Sequence, residues 1–350
     1  MCVPVAVLWG LSPAIAMWAS RTPVIAARSR PSRTDIRALR MTARRTWRFF
    51  EAYVTPADNM LPPDNFQEDP APLLAQRTSP TNIGLYLLCT ISARDFGWAG
   101  LADTVARLEA TFATLARMPR YRGHFYNWYA TDDLRPLEPA YVSSVDSGNM
   151  AGHLIALASA CQRWAERGPE TDPWRAGMTD ALNIAMADLT FSNGARRNHT
   201  APERQLLRLL TGLKNAVLSD TAARSAVELG RLRRQAAAAV DHAAVLYSNL
   251  PDTAPDIATD LLFWIAAPLR ALESHQRDLD QDLHATLAPR LVALAQAARH
   301  MAQEMDFKFL CDPARKLLSI GYLVAEDTQD TNCYDLLASE ARLAVFLAAT

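Results

Sequence analysis

Residues Pro80 to Asp95 read Pro-Thr-Asn-Ile-Gly-Leu-Tyr-Leu-Leu-Cys-Thr-Ile-Ser-Ala-Arg-Asp, followed by Gly97 and by Leu101, Val105, Leu108, Phe112 and Leu115 before Pro119. A proline at the start and a long apolar run predict a helix over 80–95. Gly97 ends it, because glycine tolerates a left-handed backbone. The Leu101 to Leu115 positions predict a second helix stopped by Pro119, so the pair forms a helical hairpin. Working outward, Ile36, Leu39, Ala43, Trp47, Phe50 and Val54 repeat at threes and fours behind a cap at Thr34 or Asp35. Asp146 to Arg167 returns to helix, with Gly168 and Pro169 behind it. Helix and breaker alternate in this way to about Met305, which predicts a mainly α fold of packed hairpins.

Two segments depart from that pattern. Between Asp306 and Val324, Phe307 and Phe309, then Leu318, Ile320, Tyr322 and Val324, alternate around Asp312-Pro313, the signature of a β-hairpin. A final helix is expected from about Asn332. At the other end, Met1 to Ser20 contains no charged residue, and Arg21, Arg28, Arg30 and Arg33 follow it. Twenty such residues reach across a bilayer, and positive charge behind them places the rest of the chain in the cytoplasm. The expected layout is a transmembrane segment over 1–20, a linker over 21–33 and one helical domain over 34–350.

Composition narrows the function. The 36 basic and 37 acidic residues leave a formal charge of −1, so no global field would hold nucleic acid. Cys2, Cys89, Cys161, Cys311 and Cys333 form no CxxC pair and have no histidine at ligand spacing, so small buried thiols are expected and no metal site. There is no phosphate-binding glycine loop, GxSxG elbow or dinucleotide fingerprint, and no cofactor is expected.

Four stretches carry chemistry. Leu61-Pro-Pro-Asp64-Asn65-Phe66-Gln67-Glu68 is a proline-stiffened loop presenting carboxylates, amides and a ring, the mixture that sugar hydroxyls and C–H faces require. Asp64 and Asn65 could equally bond nearby backbone amides. Gly123-His-Phe-Tyr126-Asn127-Trp128-Tyr129 places four rings in seven positions, as a glycan subsite or as a plug that buries them. His124 is expected to be structural. Tyr141 to Asn149 precedes a helix, where Asp146 or Ser147 could be an N-cap, and Asp146 and Asn149 could face a ligand. In Tyr334-Asp335-Leu-Leu-Ala-Ser339-Glu340-Ala-Arg342, Asp335 and Ser339 would share a helix face, with Glu340 either a solvated charge or a catalytic acid.

Taken in order, Thr46-Trp-Arg-Phe-Phe, Leu61 to Glu68, Arg77-Thr-Ser-Pro-Thr-Asn-Ile-Gly-Leu-Tyr86, Gly123 to Tyr129, Val145-Asp-Ser-Gly-Asn149 and Tyr334 to Arg342 resemble the central, glucoamylase-like region of cyclic β-1,2-glucan synthases. Ser144 stands where that pattern would have threonine. The resemblance implies an (α/α)6-barrel-like toroid, incomplete at its C-terminal side, lying on the cytoplasmic face of the inner membrane. It implies a β-1,2-glucan chain as substrate, closed into a ring by retaining transglycosylation, and glycosyltransferase and phosphorylase-like regions of the same enzyme as partners. It also implies Glu340 as acid/base, with Asp146 and Asp335 positioning the substrate and the other loop residues lining its path. The glutamate-bearing blocks that should follow Arg342 are absent, so a glucan-binding or scaffold fragment is the first alternative. A helical-barrel β-glucan hydrolase is the second.

Overall fold

The computed structural model describes residues 2–20, 31–167, 173–191, 199–219, 225–248, 255–279, 283–335 and 337–349. The expected linker over 21–33 falls mostly outside them. The chain divides into two compact units, Met1–Leu39 and Arg40–Thr350.

In the first unit, α1 (Cys2–Ala19) is helical, as its apolar run predicts, and carries Pro13 inside it. The expected transmembrane segment over 1–20 is corrected, because no helix among the described residues is long and apolar enough to cross a membrane. At 1.5 Å per residue its 18 residues reach only about 27 Å, short of a hydrocarbon core of about 30 Å. Gly10, Ser12 and Pro13 dilute its middle further. The helix α2 (Arg33–Tyr53) opens on Ser32, whose Oγ accepts from Asp35 N at 3.1 Å while Ser32 N donates to Asp35 Oδ2 at 2.9 Å. Asp35 therefore answers the cap from three residues on, and Ser32 is the cap itself.

The second unit is built on helices whose ends are explained locally. Ser79 caps α3 (Pro80–Asp95) by accepting from Asn82 N, and Gly97 follows it at φ +81°. The next helix, α4 (Leu101–Leu115), starts at Gly100, which has no side chain to cap it. Its free N–H groups are met from a distance: Gly100 N donates to Ser274 Oγ, and Leu101 N and Ala102 N donate to the two Asp278 oxygens at 2.8 and 2.9 Å. A carboxylate at the positive end of a helix is favourable.

Helix α5 (Ser144–Arg167) takes α3 on one side and, elsewhere along its surface, α10 (Leu283–Gln303) and α11 (Arg342–Ala349). Leu108, Met150, Leu154 and Leu291 are fully buried in the core that α4, α5 and α10 share. Helices α6 (Trp174–Phe191), α7 (Ala201–Leu218), α8 (Ala226–Tyr247) and α9 (Pro255–Arg277) pack in sequence, and α9 returns to α6 around Leu182, Leu210, Leu229 and Trp264. Arg40 joins α2 to this second group through a fork onto Asp180 at 3.1 and 2.7 Å. The fold is mainly helical, with eleven α-helices among the described residues.

Short strands carry the loops. The pairs are β1 (Phe66–Gln67) with β2 (Leu73–Leu74), β3 (Arg77–Thr78) with β6 (Tyr129–Ala130), and β4 (Arg120–Tyr121) with β5 (His124–Phe125). The hairpin expected over 306–324 is present but tighter, with β8 (Cys311–Asp312) pairing β9 (Leu317–Leu318). Asp312 Oδ1 closes its turn by accepting from Ala314 N and Arg315 N. Beyond it, β10 (Gly321–Leu323) leaves to lie between β7 (Tyr141–Ser143) and β11 (Thr328–Gln329). The final helix starts at Arg342, ten residues later than expected, after a 3-10 turn over Ser339–Ala341. Asp335 and Ser339 therefore do not share a helix face.

Candidate functional site

The loop from Asn59 to Glu68 is fixed before it reaches its polar residues. Asn59 Nδ2 donates to the carbonyls of Thr131 and Asp132 at 2.8 and 2.9 Å, and Leu61, Pro62 and Pro63 are buried. Asp64 then accepts from Arg77 Nη2 at 3.0 Å, from Arg77 Nε at 3.2 Å and from Asn82 Nδ2 at 3.2 Å. It ties the loop to the first turn of α3. Phe66 is stacked on Tyr53 with ring centres 5.4 Å apart, while Asn65, Gln67 and Glu68 are exposed.

Arg77 carries the connection onward. Its strand β3 pairs with β6 in the register Arg77↔Ala130 and Thr78↔Tyr129, which brings the guanidinium over the Trp128 ring, 4.6 Å from its centre. Asn127 sits next in line. With its amide oriented to suit both neighbours, it donates to Asp146 Oδ2 at 3.0 Å and accepts from Trp128 Nε1 at 3.1 Å. Tyr126 is half-buried, but Tyr129 lies wholly beneath the surface. Its hydroxyl donates to Pro119 O at 2.6 Å and accepts from Tyr126 N at 2.8 Å, so Tyr129 supports the loop from below rather than facing out.

Asp146 is free to meet Asn127 because it is not the cap of α5. Ser143 Oγ accepts from Asp146 N at 3.2 Å, and Ser144 Oγ donates to Ser319 O at 2.6 Å, fastening the helix start to the 319–321 segment. Asn149 donates to Thr81 Oγ1 at 3.1 Å and so reaches the first turn of α3. The β7–β10 ladder lays the Tyr141 ring directly on Gly321, where an added Cβ would lie 2.2 Å from Tyr141 Cζ. Only glycine permits that approach.

The C-terminal segment completes the arrangement. Tyr334 N donates to Leu318 O at 2.9 Å, holding the residue in strand-like connection rather than helix. Burial pushes the Tyr334 phenol up, and the carboxylates of Glu340, Asp146 and Asp330 push the same way. Tyr141 is raised by burial first, then by Asp330 and Tyr334. Glu340 stands exposed on its 3-10 turn, with Ser339 Oγ donating to it at 3.5 Å. Asp335 is exposed, uses Oδ1 to accept from Leu337 N at 2.7 Å, and with Tyr334 lines a separate cavity of about 420 Å³.

The three loops and the C-terminal segment thus form one strip: Asp64, Arg77, Trp128, Asn127, Asp146, Tyr334 and Glu340. Arg77 is a member that sequence reading does not single out as a site residue, and Asp330 flanks the strip beside Tyr141 and Tyr334. Arg77 lay inside a family-like block, whereas nothing in the sequence marked Asp330. Among the described residues no cluster of three or more His, Cys, Asp or Glu is placed to hold a metal ion.

His124 does not belong to the strip. It is fully buried, with its ring edge-on to Phe307 at 4.9 Å and Phe309 at 5.3 Å. Burial pushes its imidazole down to about 4, against a smaller opposing pull from Asp306. The unfolded chain takes up this proton near the ordinary value of 6.5, so the stability His124 contributes is complete above that pH and drains as pH falls toward 4. The loss should total about 3 kcal/mol. Equilibrium unfolding between pH 7 and pH 4 checks this, since His124→Phe should lose that share of the pH slope while keeping the ring packing. Equal slopes in parent and variant would contradict it.

No family model matches the chain. It is 44% identical over 345 residues to the cyclic β-(1,2)-glucan synthase NdvB of Rhizobium meliloti strain 1021, a match covering 97% of this chain. The chain is homologous to a segment of a cyclic β-(1,2)-glucan synthase. That segment amounts to 12% of NdvB, so the chain spans about an eighth of the relative's length. Among solved structures, a glucoamylase-like protein of Bacteroides caccae ATCC 43185 matches at 10% identity and a TM-score of 0.32, covering 76% of this chain and 98% of that one. One from Bacteroides fragilis NCTC 9343 matches at 9% identity and the same TM-score, covering 79% and 98%.

Proposed function

We propose that this chain is the glucan-binding and ring-closing part of a cyclic β-1,2-glucan synthase, a helical toroid that holds a linear β-1,2-glucan along the Asp64–Glu340 strip. The observation that carries the proposal is the strip itself. It alternates a charge fork, a ring face, an amide and carboxylates, which suits a substrate with hydroxyl edges and apolar C–H faces. Retaining transfer uses an acid/base and a nucleophile, with carboxyl groups about 5 to 5.5 Å apart. Glu340 takes the acid/base role and Asp146 positions the sugar beside Trp128, with Asp335 at the edge of the same segment, and the nucleophilic carboxylate that carries the glycosyl intermediate is supplied by the remaining regions of the larger polypeptide. Tyr126, Asn149, Phe66, Asn65, Gln67 and Glu68 flank the path. The remaining regions of the larger polypeptide are the partners, and the inner-membrane, cytoplasmic-side location is that polypeptide's rather than a property of α1.

The decisive experiment exchanges the matched segment of NdvB for this chain. The chimera should make cyclic β-1,2-glucan, whereas a stable, full-length chimera that makes only linear glucan would defeat the ring-closing role. Binding is tested separately on the isolated chain. Trp128→Ala should weaken its affinity for linear β-1,2-glucan by about tenfold or more, because it removes the ring face and the platform under Arg77 together. Calorimetric titration measures it, and an unchanged affinity would remove the stacking argument.

A further inference from the structure

A second cavity of about 540 Å³ opens between α2, α3, α4 and α9, and none of its lining residues belongs to the strip. Its size falls within the range of small-molecule sites, roughly 300–1,000 Å³. Its walls are fixed by ion pairs: Glu51 is held by Arg44 and Arg270, and Asp103 is gripped by Arg277. Ring faces stiffen it further, with Arg107 lying 5.6 Å from the Trp47 ring centre and Arg270 4.3 Å from that of Phe263.

Two lining charges are not spent in this way. Arg107 makes only long contacts through Nη1, at 3.4 Å to Val54 O and 3.3 Å to Tyr86 Oη, and among the described residues it has no carboxylate partner. Glu273, half-buried on α9, is felt by Arg277 electrostatically but forms no fork with it. The cavity thus offers open guanidinium donors and an open carboxylate acceptor beside the side of Trp47. Three lining arginines, Arg107, Arg270 and Arg277, balance three lining acids, Glu51, Asp103 and Glu273. An anionic ligand would face three carboxylates and a cationic one three guanidiniums. A neutral ligand with many hydroxyls meets neither penalty, donating to Glu273, accepting from Arg107 and setting a C–H face on a ring.

We infer that this cavity is a second binding site for a neutral sugar, separate from the strip. The chemistry is common to a free monosaccharide and to glucosyl units of a glucan chain, and the inference depends on the proposed function only for the choice of probe.

The test titrates the 350-residue chain with glucose, with a β-1,2-linked glucose disaccharide and with glucose 6-phosphate. Glucose or the disaccharide should bind, and Trp128→Ala should leave that binding in place. Glu273→Gln and Arg107→Gln should each weaken it at least about tenfold, since each removes a charge-assisted hydrogen bond. Arg107→Gln also disturbs the Tyr86 contact, so Glu273→Gln, with its unfolding temperature checked, is the primary variant. Tighter binding of glucose than of the disaccharide indicates a free-sugar site, and the reverse order a chain site. The inference is overturned if no neutral probe binds at millimolar concentration, if glucose 6-phosphate binds more tightly than glucose, or if Glu273→Gln binds like the parent. Probe binding that survives Trp128→Ala while linear glucan fails to bind would sink the strip's role and leave the cavity's standing.

Discussion

Replacing Glu340 with glutamine in the NdvB chimera is expected to lower cyclic glucan formation by about 10² to 10⁴-fold, the usual contribution of a positioned general acid/base. Affinity for linear β-1,2-glucan should stay within about twofold. The expectation follows from how differently the carboxylates are held. Asp64 is committed to Arg77 and Asn82, so its charge is consumed in ordering a loop. Asp146 accepts from Asn127, which is itself tied to Trp128. Among the described residues Glu340 has only the long contact from Ser339; it stands exposed and lies near enough to Tyr334 to disfavour the phenol's ionisation. In the proposed role this carboxyl group, with no arginine fork on it among the described residues, exchanges a proton with the glycosidic oxygen. Glutamine keeps the shape and the hydrogen bonds but cannot transfer that proton. Product analysis of the chimera separates the outcomes: normal ring formation would remove Glu340 from the chemistry, and parallel loss of binding would recast it as a substrate contact.

What the sequence disclosed and what it withheld divide along the range of the interactions. Helices α3 and α4 were readable because their punctuation is local, in Ser79, Pro80, Gly97 and Pro119. Helix α5 starts at Ser144, two residues before the Asp146 that its local sequence suggests. Asp146 is a plausible cap in isolation, but Ser143 takes that role once β7 is paired with β10. The same cause delayed the last helix. Leu336, Leu337 and Ala338 favour helix by composition. However, the Ser319↔Cys333 bridge, the Tyr334 N bond to Leu318 O and the Asp335 turn hold the preceding backbone extended or turned. In α1 apolarity alone predicts the helix, and its length and interior Gly10, Ser12 and Pro13 leave it short of a span. For the site, each loop was legible as a composition of rings and acids. Their junctions were not, because Arg77 meets Trp128 only through the β3–β6 register and Tyr141 meets Asp330 only across Gly321.

The packing of α2 yields the other large expectation: Glu51→Ala should destabilise the chain by about 3–5 kcal/mol, the cost of leaving a buried charge without its partner. Arg44 is 2% exposed, lies over Trp264 at 5.1 Å and Trp98 at 5.8 Å, and donates to Glu51 Oε2 at 2.9 Å. Burial pushes the Arg44 guanidinium down, and Glu51 is the chief force opposing that. For Glu51 itself, burial pushes the carboxyl up, but Arg44 and Arg270 together outweigh it and hold it below its ordinary value of 4.5. A carboxyl depressed in the folded state contributes stability above its unfolded value, and that stability is lost as pH falls through the folded one. The parent should therefore lose stability on the acid side of 4.5 through this pair, and Glu51→Ala should not show that component. Removing both charges tests whether the cost is desolvation rather than packing. Arg44→Met combined with Glu51→Leu fills similar volume with apolar atoms, and it should recover most of the loss. Denaturant unfolding of the two variants decides it. If Glu51→Ala costs less than about 1 kcal/mol, Arg44 finds another partner or water, and the Arg44–Glu51–Arg270 set does not hold α2 against α9 in the way its geometry indicates.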